Sequence, residues 1–258
     1  MLTMNIFYSV LQEVKEYFYT LNMHTINEKK EIDYVTNVDH AMDVFLTDKL
    51  QSLTPNIPVL SEERDIINLP EQFWIIDPLD GTHNFIENLP FYAVSIAFCE
   101  QNKVTFSAVI DLVQGDIYTA QLGHGAFING QAFTLSRSPS ELMCVSSGML
   151  DLLSCNQDIY TAFRKTAKFR NLGCQSLQII YVALGKFCAA MSYEAKFWDD
   201  AAAYLFLTEV GGEYYSFALA SKTLMPNTEK VNVPLISIAS HTCQYKFIYT
   251  QIDKLLNK

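Results

Sequence analysis

The stretch "FWIIDPLDGTHNF", residues 73–85, runs four apolar residues into two aspartates, Asp77 and Asp80. Pro78 and Leu79 separate them, and Gly81 and Thr82 follow at once. Apolar residues bounded by turn formers predict a buried strand that ends in two negative charges. Asp, Pro and Gly all favour turns, so a turn accounts for the composition. A second reading is a hole for a cation with a phosphate lying over it. Pro78 stiffens the connection so that both carboxylates can point into one hole, and the Leu79 carbonyl can face it too. Gly81 and Thr82 then start a helix whose N–H groups face an anion.

Composition narrows the choice. The chain has 258 residues, half of them hydrophobic, enough for one large domain or two closely packed ones. No repeat of about 20–50 residues, low-complexity run or flexible linker is present. The net charge of −10 argues against a broad nucleic-acid surface, and metal ions rather than Lys or Arg are expected to neutralise a bound phosphate. No stretch reaches the roughly 18 apolar residues of a membrane span. The first residues lack a basic leader, and Phe7, Val10, Leu11, Val14, Phe18 and Leu21 recur at helical spacing instead. Six scattered cysteines without a CxxC pair indicate reduced thiols and a cytoplasmic protein. The histidines show no zinc spacing.

Working outward, a short strand or turn ends near Asp39, and a helix follows carrying Met42, Phe45, Leu46, Lys49 and Leu50. Ile57–Leu60 forms a strand that stops before Glu62 and Glu63. An antiparallel meander is expected from Tyr92 to Gly130, with turns at Gln101–Asn102 and Gln114–Gly115. Further on come a strand near Met143–Ser147, a helix over Asp158–Phe169, and a buried helix feeding a strand in "FRNLGCQSLQIIYVALGKFCAAM". "WDDAAAYLFLTEVGG" is a helix with an acidic start and a Gly–Gly stop, and a strand "LISIAS" and a last helix, Cys243–Leu256, close the chain. The division expected is an N-terminal α+β half, residues 1–135, with an antiparallel sheet and most of the acids, and a C-terminal α/β half, residues 136–258.

The acids gather at element ends. Asp39 suits an N-cap, Glu62 and Glu63 a solvated loop, and Asp199 and Asp200 the positive end of a helix. Three of these clusters, however, follow apolar strands, and ligands of α/β proteins sit at strand ends. Mg²⁺ takes oxygen ligands in near-octahedral geometry. A two-metal phosphatase needs a carboxylate able to bridge ions roughly 3.5–4 Å apart.

"WIIDPLDGTHNF" with "PFYAVSIAF", and "WDDAAAYLFLTEVGGEY" farther on, resemble the two signature motifs of the inositol monophosphatase family. "DYVTNVD", "LSEE", "GHGAFING" and "RNLGCQSLQIIYVALGKF" match in order, so that the resemblance covers roughly residues 32–215. It implies a layered α-β-α-β-α sandwich, a homodimer, and lithium-sensitive hydrolysis of a phosphate monoester by a metal-activated water with two to three Mg²⁺. Glu62, Asp77 and the Leu79 carbonyl would hold one ion; Asp77, Asp80 and Asp199 a second; and a weaker third would lean on Glu62. Gly81 and Thr82 would bind phosphate. Glu62 and Thr82 would orient the water, with Asp39 supporting the Thr82 hydroxyl. Glu63 would support its neighbours at most.

The substrate side departs from the family pattern. Ser192 stands where a glutamate usually binds substrate hydroxyls, Cys188 replaces a second acid, and the usual upstream lysine has only Lys29 and Lys30 nearby. Ser192, Glu194 and Lys196 are the candidate contacts to the leaving alcohol, while His83 is expected to be a loop residue. The substrate implied is inositol monophosphate or another polyol or sugar phosphate, with histidinol phosphate or a 3′(2′),5′-bisphosphate nucleotide as alternatives. An aspartyl-phosphate enzyme of the haloacid-dehalogenase kind would space its aspartates two apart, not three. A regulatory or binding module with vestigial catalysis is the alternative of another class.

Overall fold

The computed structural model describes residues 4–23, 25–30, 33–64, 70–135, 140–218, 224–225 and 234–256. The chain begins with α1 (Met4–Phe18), a two-stranded antiparallel hairpin of β1 (Ile26–Lys30) and β2 (Asp33–Thr36), and α2 (Asn37–Leu53). A seven-stranded sheet follows, with β3 (Val59–Ser61), β4 (Gln72–Asp80), β5 (Ala93–Glu100), β6 (Lys103–Asp111), β7 (Ile117–Gln121), β8 (Gly125–Ile128) and β9 (Gln131–Phe133) lying side by side in chain order. Only β3–β4 is parallel; the rest is the expected meander. A short helix, α3 (Thr82–Ile86), leaves the end of β4.

The remaining elements are β10 (Leu142–Val145), α4 (Ser147–Ser154), α5 (Gln157–Thr166), β11 (Lys168–Arg170), α6 (Gln175–Ala183), β12 (Ala189–Ala195), α7 (Phe197–Glu209), β13 (Glu213–Ala218), β14 (Leu224–Met225), β15 (Leu235–Ser240) and α8 (Thr242–Leu256). Their strands form a six-stranded mixed sheet in the order β11-β10-β12-β15-β13-β14.

Three cores set the layers. Phe7, Leu11 and Val14 of α1 and Met42, Leu46 and Leu50 of α2 pack against Trp74, Ile76, Val94 and Ile96 on one face of the first sheet. Each such side chain contributes roughly 1.5–3 kcal/mol on burial. Between the sheets lie α6 and α7, apolar on most sides because both faces are covered. Beyond the second sheet, α4, α5 and α8 bury Met149, Leu153, Ile159, Phe163, Ile248 and Ile252. The result is the expected α-β-α-β-α sandwich.

α7 is pinned at both ends to the first sheet. The Ser95 hydroxyl donates to the Trp198 carbonyl at 3.0 Å, and the Glu209 carboxylate takes the N–H groups of Gly123 and Gly125 at 2.8 and 2.7 Å. Asp199 therefore rides on a fixed element.

Some boundaries differ from expectation. The helix expected over Asp158–Phe169 ends at Thr166, because Ala167 turns extended and Phe169 joins β11. The strand expected to reach Ser147 stops at Val145, where Ser146 caps α4 by accepting the Met149 N–H at 3.2 Å. α2 is capped not by Asp39 but by Thr36. Thr36 Oγ1 accepts the Val38 and Asp39 N–H groups, and Asp39 Oδ2 returns the bond to Thr36 N at 2.8 Å, which makes a capping box.

Candidate active site

Two aspartates three apart on a regular strand would face opposite sides of a sheet. A bulge between Asp77 and Asp80 removes that problem: Asp77 pairs with Ser95 and Asp80 with Ala93, so one extra residue is absorbed. Pro78, which has no N–H to lose, sits within it. Leu79 sends its side chain into the α1–α2 core, while Asp80 meets α6 on the opposite face.

Glu62, Asp77 and Asp199 converge. Carboxylate oxygens of the three lie within 4.8 Å of one another. β3 delivers Glu62, β4 delivers buried Asp77, and α7 delivers Asp199, whose Oδ2 accepts the Lys196 N–H at 2.7 Å. Burial, and then the charges of Glu62, Asp80 and Asp199, push the Asp77 carboxyl well above the usual range. Asp199 is raised by burial and then by Glu62 and Asp80.

Asp80 is held differently. The first turn of α6 supplies donors to it: Gln175 N–H to Oδ1 at 3.0 Å, and Ser176 N–H, Ser176 Oγ and Cys174 Sγ to Oδ2 at 2.6, 2.5 and 3.1 Å. Burial raises its pKa and these bonds oppose the shift. Oδ2 is saturated; Oδ1 keeps a lone pair.

At the end of β4, Gly81 adopts φ +91°, and a Cβ there would stand 2.7 Å from the Phe91 carbonyl oxygen. Only glycine fits this corner. Thr82 begins α3, and its Oγ1 lies 3.0 Å from both Asp39 Oδ1 and the Leu79 carbonyl. Thr82 Oγ1 thus joins α2 to the turn.

A cavity of about 320 Å³ opens over these groups. Glu62, Asp77, Leu79, Asp80, Gly81, Thr82 and Asp199 form one wall. Ser192 lines the cavity, and His83 also reaches its rim, exposed and edge-on to Tyr34 at 5.0 Å. Asp39 reaches the site through Thr82, and Asp39, Glu63 and Lys196 are not among the described lining residues. Cys188 is buried beneath the second sheet in the α4–α5–α8 core. The side chains of Lys29, Lys30 and Glu194 lie outside the described residues.

Sequence reasoning missed the facing wall of Ser146, Ser147, Asn171, Gln175 and Gln178. The signal was present in "RNLGCQSLQ", where polar residues interrupt an otherwise apolar helix. Asp200, one residue past Asp199, turns away into the interior. It is fully buried and accepts from Gln175 Nε2 at 2.8 Å, Tyr214 OH at 2.7 Å and Ser237 Oγ. Burial lifts its pKa to about 6 against the pull of these bonds.

The donor set fits a hard divalent cation. Oxygen-only ligands from carboxylates and a carbonyl suit Mg²⁺, and no Lys or Arg lines the cavity among the described residues. Asp77 and Asp80 are buried, and burying a carboxylate carries a large desolvation cost that a bound cation would offset.

Fold and site together define a phosphatase sandwich with a carboxylate centre beside a glycine corner. The profile of the inositol monophosphatase family matches residues 3–244, and the chain belongs to that family of phosphomonoesterases. It is 33% identical over 245 residues to the Nus factor SuhB of Pseudomonas aeruginosa, covering 90% of this chain and 88% of that one. It is 30% identical over 195 residues to the inositol-1-monophosphatase of Rhizobium meliloti, covering 72% and 73%. The solved structure of a Thermotoga maritima IMPase shares the fold, with TM-score 0.80 at 23% identity over 98% of this chain and 97% of that one.

Proposed function

We propose that the chain hydrolyses a small phosphate monoester with the help of Mg²⁺. The observation that carries this reading is the Glu62–Asp77–Asp199 cluster beside the Gly81–Thr82 corner. Glu62, Asp77, Asp199, the Leu79 carbonyl and the free lone pair of Asp80 Oδ1 would hold two to three ions. Bound there, Mg²⁺ neutralises phosphate charge and lowers the pKa of a water.

The protein's own groups do the rest. The N–H groups of Gly81 and Thr82, at the start of α3, take phosphate oxygens. Asp39 accepts a hydrogen bond from the Thr82 hydroxyl, which leaves the Thr82 Oγ1 lone pairs to accept one from the attacking water. Glu62 accepts that water's second hydrogen. As the water oxygen bonds to phosphorus, the bond to the leaving alkoxide breaks. The water gives one proton to the Glu62 carboxylate, and the alkoxide takes one from solvent water, so that one proton is lost and one gained.

In this reading residues 1–135 furnish most cation ligands, and residues 136–258 furnish Asp199 and the alcohol-facing wall. That wall, with Ser192 and the amides of Asn171, Gln175 and Gln178, suits uncharged hydroxyls. A second phosphate would find no Lys or Arg there among the described residues. Inositol monophosphate or a similar polyol phosphate is therefore favoured over a bisphosphate nucleotide, and histidinol phosphate is an arm of the test. Lys196, which is not among the described lining residues, and Glu194 are further proposed contacts to the alcohol. Four buried free thiols, Cys99, Cys144, Cys174 and Cys188, support a cytoplasmic location. A homodimer is proposed from the family resemblance alone.

The test is phosphate release from inositol phosphates, histidinol phosphate, fructose bisphosphate and adenosine bisphosphate, with Mg²⁺ and with added Li⁺. Mg²⁺-dependent, Li⁺-inhibited release from inositol phosphate is expected; release from none of them would sink the reading. The likeness to a Nus factor favours a second reading, a regulatory module acting through a macromolecular partner. Asp80→Asn separates the two: lost turnover with unchanged function in the cell would favour regulation.

A further inference from the structure

Asp80 owes its position to the first turn of α6, yet that turn is not held by a side-chain cap. Its N-cap, Cys174, makes no side-chain capping bond, and the Cys174 thiol donates to Asp80 instead. The lock comes from Gln175. Its Nε2 donates to Asp200 Oδ1 at 2.8 Å, and its Oε1 accepts from Gln178 Nε2 at 3.0 Å. Gln178 Oε1 in turn accepts the Leu172 N–H at 3.4 Å. Asp200 is anchored behind by Tyr214 on β13 and Ser237 on β15. One buried carboxylate thus ties α7, α6 and the second sheet together directly behind the cation wall. A carboxylate suits the place because it only accepts, and all three neighbours donate.

We propose that Asp200 is a positioning residue: by holding the Gln175 side chain it fixes the α6 turn that clamps Asp80, and so sets the affinity for a divalent cation. The inference rests on the cation-dependent reading of the site. Asp200 itself faces away from the cavity, so it touches neither substrate nor ion. Groups that orient ligands from behind typically change metal affinity about 10- to 100-fold when removed.

The test is Mg²⁺ binding by calorimetry, without substrate, to the full chain and to Gln175→Met, Asp200→Asn and the double variant. Methionine keeps the length of glutamine but cannot donate. Asparagine keeps the shape of Asp200 but weakens its bond to Gln175. Each single variant is expected to raise the Mg²⁺ dissociation constant about tenfold. Because both act through one contact, the double variant should be no weaker than the worse single variant. If folded single variants bind within about twofold of the parent, or if the two losses multiply, the proposal is overturned. Gln175 is half-buried and lines the cavity, so its variant decides the matter even where Asp200→Asn fails to fold. Failure of the parent chain itself to bind Mg²⁺ would instead overturn the reading of the site.

Discussion

Thr82 Oγ1 lies 3.0 Å from Asp39 Oδ1, a contact between residues 43 positions apart that joins the start of α2 to the turn after β4. The carboxylate is the stronger acceptor for the single hydroxyl proton. Asp39 serves two elements at once, since its other oxygen takes both Thr36 N–H and Thr36 Oγ1.

Thr82→Ala is therefore expected to lower kcat about 10²- to 10⁴-fold, in the range of lost general-base assistance. Thr82→Ser should restore most of that activity. Asp39→Asn should lower kcat similarly and also weaken the α2 capping box by about 1 kcal/mol. Steady-state kinetics beside thermal melts separate the two effects, because Thr82→Ala leaves the cap intact. Equal kcat for Thr82→Ala and the parent would remove Thr82 from the reaction.

Asp77→Asn should abolish Mg²⁺-dependent turnover while raising the melting temperature of the cation-free protein. At a pH high enough to ionise Asp77, its charge is repelled by Glu62, Asp80 and Asp199 within a buried site, and the Asn side chain relieves that repulsion there. Each kcal/mol regained corresponds to about 2–4 °C in a chain of this size. Melts in chelator check the gain, and melts in Mg²⁺ should show the ranking reversed.

The acids were legible because charge at the end of an apolar strand is anomalous, and Glu62, Asp77, Asp80 and Asp199 all come together over the cavity. What brings Asp77 and Asp80 to one face was not legible. A strand's period of two places them apart, and the bulge that corrects this appears only in the pairing with β5. The N-cap, the plainer reading of Asp39, belongs to Thr36, and "TNVD" holds both members of the capping box. Gln175 and Gln178 passed unnoticed because nothing in "RNLGCQSLQ" says which groups their amides meet. Their role depends on Asp200 and Leu172, which the fold brings to them. Phe169 continued an apolar helical pattern across a break that only strand pairing with β10 defines.

Gly81→Ala tests the corner. A side chain there would have to hold φ +91° and sit 2.7 Å from a backbone oxygen that has little freedom to move. A strained backbone of this kind costs about 1–3 kcal/mol. The variant should melt lower and lose phosphatase activity beyond what the stability loss explains. Retained activity at full cation occupancy would show that the N–H groups of this turn do not position phosphate.

Cation binding and protonation compete for the same carboxylates, and this fixes the pH dependence of stability. Asp77, Asp80 and Asp199 titrate above the ordinary carboxylate range when no cation is bound, and Asp200 behind them titrates at about 6. A group whose folded pKa is raised holds its proton more tightly in the folded state. Its contribution is thus fully present below the unfolded value of about 4 and is lost as pH rises through the folded value. The cation-free protein should lose stability from these groups between about pH 4 and pH 6, and further as the more strongly raised pair ionises. Mg²⁺ favours the ionised cluster, so the melting shift it produces should grow with pH from about 5 to about 8. Melts across that range, with Mg²⁺ and with chelator, measure the difference. A Mg²⁺ shift that stays constant or shrinks as pH rises would mean that the ion is not held by Asp77 and Asp199.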